Sequence, residues 1–210
     1  MNPLPPEVAA QFDALSVSRE SWPAIQQFVD LLLLWQAKIN LISPASKNEI
    51  WTRHVLDSLQ LLPLLPAGAT HIADLGSGSG FPGLPLAIAS GRTVDLYESN
   101  NKKAAFLREA LRITKARGVV HIARLGSANK LPNSKIADVV TARALAPLSE
   151  LLALAEPFLV RGAVGLFHKG KEVEAELSEA AKFWKFSYIT HVSSTDSKAV
   201  ILAVKEVKRV

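Results

Sequence analysis

The stretch Ala73-Asp-Leu-Gly-Ser-Gly-Ser-Gly-Phe-Pro-Gly83 decides how this chain folds. It begins inside a mostly apolar run, His71 to Leu75, that reads as a buried strand. It breaks into glycines at 76, 78, 80 and 83 and resumes as an apolar helical pattern from Leu84 to Ala89. Glycine is required where the backbone takes positive φ or where a ligand must touch it. Pro82 suits a first helical turn, where its missing N–H costs nothing. A strand, a glycine turn and a helix point backbone N–H groups and a positive helix end at a ligand beside a sheet edge. The stretch therefore predicts an α/β fold with a nucleotide-type ligand at the first crossover.

On the C-terminal side the same alternation continues. Strands are expected at His71–Leu75, Thr93–Glu98, Val119–Ala123, Ala137–Ala142, Ala163–His168, Phe186–Val192 and Ala199–Lys205. Helical patterns fill 82–90, 101–117, 147–160 and 172–184. Such alternation predicts a mostly parallel sheet covered on both faces. The last two strands are joined only by Ser-Ser-Thr-Asp-Ser, too short for a crossover, so the end of the sheet should be antiparallel. On the N-terminal side, residues 1 to about 62 read as helical. Ser21 is placed to cap a helix carrying Ile25, Phe28, Val29, Leu32, Leu33 and Trp35. Ser46 opens a second helix, closed by Pro63 and Pro66, with Ile39-Asn-Leu-Ile-Ser-Pro44 as the joint between them. The expected division is a helical extension over 1–62 and a ligand-binding domain over 63–210.

Composition narrows the class. The 210 residues are 49 % hydrophobic, enough to fill a substantial core. The apolar patch Val29 to Trp35 contains Asp30 and is too short to span a membrane, and no signal peptide is visible. Zero cysteines exclude disulfides and thiolate metal sites, and the default expectation is a cytoplasmic, metal-free monomer. The formal charge is +5, and its distribution is uneven. Residues 101–135 hold nine basic side chains against one acid, Glu109, which fits either a solvated face or a polyanionic partner such as nucleic acid. Arg108, Arg112 and Lys115, spaced four and three apart, share one helix stripe.

Two ligands compete for the glycine turn. Gly78-Ser-Gly-Phe-Pro-Gly83 matches the pattern of dinucleotide-binding enzymes, while Asp74-Leu-Gly-Ser-Gly-Ser-Gly80 matches the acid-led pattern of methyltransferases. Asp74 decides for S-adenosylmethionine: an acid at the strand tip repels a pyrophosphate but can engage a methionyl ammonium. Glu98 ends the next strand, where a carboxylate can accept hydrogen bonds from both ribose hydroxyls. Phe81 is placed to wall the pocket. In the bland alternative Asp74 caps the turn and Glu98 caps the following helix.

The segments Arg53-His-Val-Leu-Asp-Ser-Leu59, Asp74 to Leu86, Glu98-Ser-Asn-Asn-Lys-Lys-Ala-Ala-Phe-Leu107, Ala142-Arg-Ala-Leu-Ala-Pro-Leu148 and Lys169-Gly170 occur in this order. Together they resemble the RsmG family, also called glucose-inhibited division protein B, over nearly the whole chain. The resemblance implies a Rossmann-like S-adenosylmethionine-dependent methyltransferase fold, with seven mostly parallel strands, an antiparallel last strand and a helical N-terminal extension. It implies methyl transfer to guanine N7 in the 530 loop of 16S ribosomal RNA, with the RNA or the small-subunit particle as partner. Its cofactor contacts fall on Gly76, Phe81, Leu125, Gly126 and Arg143, beside Asp74, Gly78, Gly80 and Glu98 from the residues themselves. One departure stands out: the family's R-A-E-E-like segment is Arg124-Leu-Gly-Ser here, and a two-residue slip would move the contact to Ser127 and Ala128.

Guanine N7 offers a lone pair without a proton, so its methylation needs no general base, and no catalytic acid or base is assigned. His71, His121, His168 and His191 fall in expected strands and read as core or edge residues. Asn40, Arg53, His54, Arg143 and Lys169 are the candidates for contact with RNA or the target base, the last at the rim of the site. Two other readings remain open: a methyltransferase of the same fold acting on a small molecule or protein, and a non-catalytic RNA-binding assembly factor.

Overall fold

The expected alternation folds into one seven-stranded sheet in the computed structural model, which describes residues 5–124, 126 and 137–210. The strands are β1 (His71–Leu75), β2 (Thr93–Glu98), β3 (Gly118–Ile122), β4 (Val139–Arg143), β5 (Val164–Lys169), β6 (Trp184–Val192) and β7 (Val200–Arg209), in the order β3-β2-β1-β4-β5-β7-β6. The first five are parallel to one another, and β7 inserts antiparallel between β5 and β6. Strand order reverses at β1, between β2 and β4, and at such a switch point open α/β sheets form a crevice at the carboxyl ends of the strands.

Helices α4 (Gly83–Ser90), α5 (Asn101–Thr114), α6 (Leu148–Leu159) and α7 (Val173–Ala180) cover the sheet. The period-two pattern of the strands divides the interior. Ile72, Val94, Leu96 and Val139 point into one core, while Ala73, Leu75, Tyr97 and Val140 point into the other, beneath α6 and α7. Helix α5 begins where the Asn100 carboxamide accepts the Lys102 and Lys103 amides, so Asn100 and not Glu98 is its cap.

The N-terminal extension is part of the first core. Helix α1 (Pro6–Ala14) and helix α2 (Trp22–Gln36) bring Phe12, Phe28 and Leu32 into the same cluster as Leu84, Phe106 and Leu107. Phe28 is fully buried, in ring contact with Phe81 at 5.1 Å and Phe106 at 6.2 Å. Burial of such a side chain contributes about 1.5–3 kcal/mol.

The extension departs from expectation in two places. Ser21 does not cap α2; it ends a 3-10 turn, Arg19–Ser21, and its hydroxyl pairs with Ser18 at 3.0 Å. Ser46 does not open a regular second helix. The Ser43 hydroxyl caps a 3-10 turn, Pro44–Glu49, which leads into a π-helical turn, Trp51–Leu56, and then α3 (Asp57–Leu59). Apolar spacing alone does not separate these helix types, because all three bury one side of a short segment. Later boundaries also shift: α5 ends at Thr114, α7 ends at Ala180, β6 starts at Trp184, ahead of the expected Phe186, and β7 runs on to Arg209.

Candidate functional site

Three loops meet at the carboxyl ends of the parallel strands. The first is the glycine turn after β1. Gly76, Gly78 and Gly80 all have positive φ, at 66°, 53° and 90°. They do different work. A Cβ at Gly78 would meet nothing closer than 3.7 Å, so its backbone faces open space where a ligand can approach. Gly80 faces the core instead: a Cβ there would lie 2.6 Å from Leu84 Cδ1. At Gly76 the open side is covered by Leu145, whose Cδ1 would lie 2.5 Å from an added Cβ.

The two acids of the strand tips also separate. Glu98 accepts the amides of Gly78 (2.9 Å) and Asn100 (2.7 Å), one on each carboxylate oxygen, which ties the glycine turn to the tip of β2. Each oxygen keeps a second lone-pair site for a ligand hydroxyl. Asp74 lies sealed beneath the turn, with no exposed surface. Its Oδ1 accepts the Thr141 hydroxyl at 2.7 Å, and its Oδ2 lies against the Gly83 backbone without completing a hydrogen bond. Burial raises its pKa to about 6, against the opposing pull of the Thr141 and Ser77 hydroxyls and of Arg143. The expected contact of Asp74 with a ligand ammonium is thus replaced, in this conformation, by an internal role under the turn.

The second loop follows β4, where Ala144 takes φ 51°, a left-handed conformation uncommon outside glycine. Arg143, just before it, turns toward the extension and not toward Asp74 or Glu98. Its Nη1 donates to the Arg53 carbonyl (2.9 Å) and to Asp57 Oδ2 (3.1 Å), and its Nη2 donates to His54 Nδ1 (2.7 Å). A guanidinium has only donors, so Nδ1 accepts and the imidazole proton sits on Nε2, which donates to Ser46 Oγ at 2.9 Å. Burial, reinforced by the Arg143 charge, pushes the His54 pKa down to about 4, so the ring is neutral. It stacks on Phe81 at 5.1 Å, while the Arg143 guanidinium lies 5.3 Å from the same ring. Phe81 is thereby 4 % exposed, an internal joint between the extension and the glycine turn more than an open wall.

Asp57 is the centre of this joint, and the sequence did not single it out. Its Oδ1 accepts Gln60 and Thr195, both at 2.8 Å, and its Oδ2 faces Arg143. Its carbonyl accepts His168 Nε2 at 2.8 Å. His168, read as a core residue, pairs in register with Arg143 across β4 and β5 and so joins the site. The Asp57 side chain lies inside Arg53-His-Val-Leu-Asp-Ser-Leu59, and the presence of an acid in that segment was the available signal.

The third loop follows β5. Lys169 is buried, donating to the Ala146 carbonyl (2.8 Å) and to Glu176 Oε2 (2.6 Å), so its ammonium is committed inside the fold instead of standing on the rim. Asn40 and Arg53 are exposed, with Arg53 3.5 Å from Glu49. Gly126 is exposed with φ 85°; Leu125, Ser127 and Ala128 lie outside the described residues. Arg108 and Arg112 on α5 are exposed as expected, but Glu109 holds Arg112 at 2.7–2.8 Å, and exposed Lys115 follows the end of α5 at φ 56°, off the expected helix stripe. His71 and His121 flank Asp95 at 2.9 and 3.2 Å on β2, away from the three loops.

The residues at the β2 tip fit a nucleoside, because the Glu98 carboxylate keeps lone pairs for ribose hydroxyls beside the open Gly78 backbone. Glu98 at the β2 tip stands beside the bare backbone of Gly78, while the Arg143 guanidinium is engaged by Arg53, Asp57 and His54. No helix among the described residues is long and apolar enough to cross a membrane, and none of their His, Asp and Glu side chains form a metal-holding group.

Comparison with known proteins gives a consistent result. Residues 22–204 match the model of GidB, rRNA small subunit methyltransferase G. The chain is 49 % identical to Ribosomal RNA small subunit methyltransferase G of Rhodopseudomonas palustris (strain BisB18), covering 99 % of this chain and 91 % of that one. It is also 49 % identical to the protein of that name from Gluconobacter oxydans (strain 621H), over 93 % of this chain and 98 % of the relative. Among solved structures it is similar to cofactor-bound Rv0187 from MTB (TM-score 0.61, 16 % identity, 97 % and 98 % of the two chains). It is also similar to the O-methyltransferase from Bacillus cereus in complex with SAH (TM-score 0.54, 17 % identity, 86 % and 91 %).

Proposed function

The chain belongs to the family of ribosomal RNA small subunit methyltransferase G, and on that premise we propose that it transfers a methyl group from S-adenosylmethionine to N7 of a guanine in the 530 loop of 16S ribosomal RNA. The observation that carries the reading is the pairing of Glu98 with the open Gly78 backbone at the switch point of the sheet. Glu98 would hold the ribose, Gly78 would let the nucleoside approach, and Arg143 would hold the carboxylate of the amino-acid tail. S-adenosylmethionine supplies, when bound, a methyl group on a positively charged sulfur.

Guanine N7 has a lone pair and no proton at neutral pH, so the protein has to align the reactants and not to abstract a proton. The two histidines at the crevice suit that division of labour. Both nitrogens of His54 are engaged by Arg143 and Ser46, and His168 Nε2 donates to Asp57. Exposed Arg108 on α5 and Lys115 just past its end, with Arg53 and Asn40 on the extension, supply RNA contacts. Nucleoside mapping of ribosomal RNA from cells with and without this gene tests the proposal. Loss of one N7-methylguanine from the small-subunit RNA is expected, and an unchanged methylation map overturns the reading. Calorimetry with S-adenosylmethionine and NAD tests the cofactor separately, and binding of NAD alone rejects it.

A further inference from the structure

Between the carboxyl ends of β4 and β5 lies a cavity of about 320 Å³, within the range of small-molecule sites. Leu145 lines it and also covers Gly76, so the cavity adjoins the glycine turn across a single side chain. Its walls contain a charged pair, Lys169 and Glu176, at 2.6 Å. The pair is more than a clip. Glu176 Oε2 takes both internal donors, Lys169 Nζ and the Leu148 amide, the latter also at 2.6 Å. No described residue donates to Oε1, and Glu176 lines the cavity. Lys169 spends two of its three N–H groups, on Glu176 and the Ala146 carbonyl, and keeps one. Burying an ion pair is costly, and replacement by apolar residues is often neutral or stabilising, so stability alone is a weak reason for this arrangement.

We propose that this cavity receives the acceptor guanine, with Glu176 Oε1 accepting from its N1–H and N2–H groups and the spare Lys169 N–H donating to its O6. The inference rests on the guanine reading of the previous section and names the residues that select the base. Guanine offers an acceptor beside two donors on its pairing edge, the complement of an ammonium beside a carboxylate oxygen. Adenine reverses both, setting an amino group against Lys169 and a lone pair against the carboxylate. A site that leaves buried polar groups unpaired with the wrong ligand discriminates strongly. With the pairing edge held, N7 lies on the opposite, free side of the O6 group. Lys169 thus reads the base and not the phosphate backbone.

The test uses Glu176→Gln, whose carbonyl keeps the Lys169 and Leu148 contacts while its amide presents a donor to the cavity. Small-subunit particles lacking the modification are the acceptor. Wild-type protein must first label a guanine; failure there overturns the functional reading itself. Given that label, the variant is expected to lose at least 100-fold in kcat/KM while S-adenosylmethionine affinity stays near wild type and Tm falls, because the buried Lys169 charge loses its carboxylate. Retention of methyl transfer within threefold overturns the pocket. Should the variant not fold, wild-type binding of guanosine, inosine and adenosine monophosphates by ligand-observed NMR decides. Preference in that order supports the pocket, since inosine lacks the N2 donor, and equal or undetectable binding of all three overturns it.

Discussion

The turns after β1 and β4 stand side by side at the edge of the same crevice, yet they are built on different principles. The β1 turn is made of backbone: positive-φ glycines, amides donated to Glu98, and a helix start over Asp74. The β4 turn is made of side chains held from afar. Arg143 reaches partners 86 to 90 residues away, and Ala144 accepts a left-handed conformation in the process. A backbone-built site carries its own instructions, because glycine placement dictates its geometry. A side-chain-built site depends on whatever the rest of the fold delivers.

This contrast can be broken most severely at Asp57. Asp57→Ala leaves Arg143 without its carboxylate and Thr195 without its acceptor, and removal of one partner of a largely buried pair costs about 3–5 kcal/mol. Chemical denaturation should show that loss, while the glycine turn, tied through Glu98, keeps its own geometry. A change below 1 kcal/mol would mean that the β4 turn does not rely on the extension.

A second experiment sets the buried acid of the β1 turn against the buried base that the extension packs on the β4 turn. The folded Asp74 carboxyl titrates near 6 against an ordinary 3.8, so its stabilising contribution is complete below pH 3.8 and is lost as pH rises through 6. His54 titrates near 4 against 6.5, so its contribution is complete above pH 6.5 and is lost as pH falls toward 4. His168 is shifted the same way as His54, by burial first. The two trends oppose one another between pH 4 and 6.5. Asp74→Asn should therefore raise stability at pH 7 by up to about 3 kcal/mol and leave a profile rising with pH. His54→Gln should leave one that falls more steeply. Urea unfolding at three pH values in this window checks both, and an Asp74→Asn profile parallel to wild type would refute a sealed carboxyl.

A smaller change tests the backbone turn itself. Gly78→Ala must hold φ near 53° with a Cβ, at a cost of about 1–2 kcal/mol, but the added atom meets nothing within 3.7 Å. The variant should fold while binding S-adenosylmethionine at least tenfold more weakly by calorimetry. Unchanged affinity would show that the ligand does not approach this backbone.

The least effect belongs to the surface that neither turn controls. Arg108→Ala on α5 should weaken binding of small-subunit particles only a few fold and reduce the salt dependence of log K by about 0.7–0.9. Arg112→Ala should do less, since Glu109 already holds that guanidinium. Filter binding across a salt series separates the two, and equal slopes would place α5 outside the interface.

Much of the architecture was legible because it follows from local rules. The strand–glycine–helix stretch set the crossover, and β1 and β2 begin and end where the apolar runs do. The short Ser-Ser-Thr-Asp-Ser link fixed the antiparallel end. Less was legible in the site. Asp57, Thr141 and Glu176 look like ordinary helix or strand residues in sequence. They acquire roles only when packing brings them to Arg143, Asp74 and Lys169. Lys169 reads as a rim cation because a lysine after a strand is normally solvated, and its inward turn depends on an acid from α7.

By itself, the amino-acid sequence determined the doubly covered parallel sheet, the glycine turn at its first crossover and the carboxylate at the β2 tip, since each follows from residue periodicity, chain length or the steric freedom of glycine. Tertiary structure alone decided which charges stay open at the strand tips and which face each other. It sealed Asp74, turned Arg143 toward the extension and paired Lys169 with Glu176. The reason is that a side chain's partner is chosen by distance in space, over separations that no local pattern encodes.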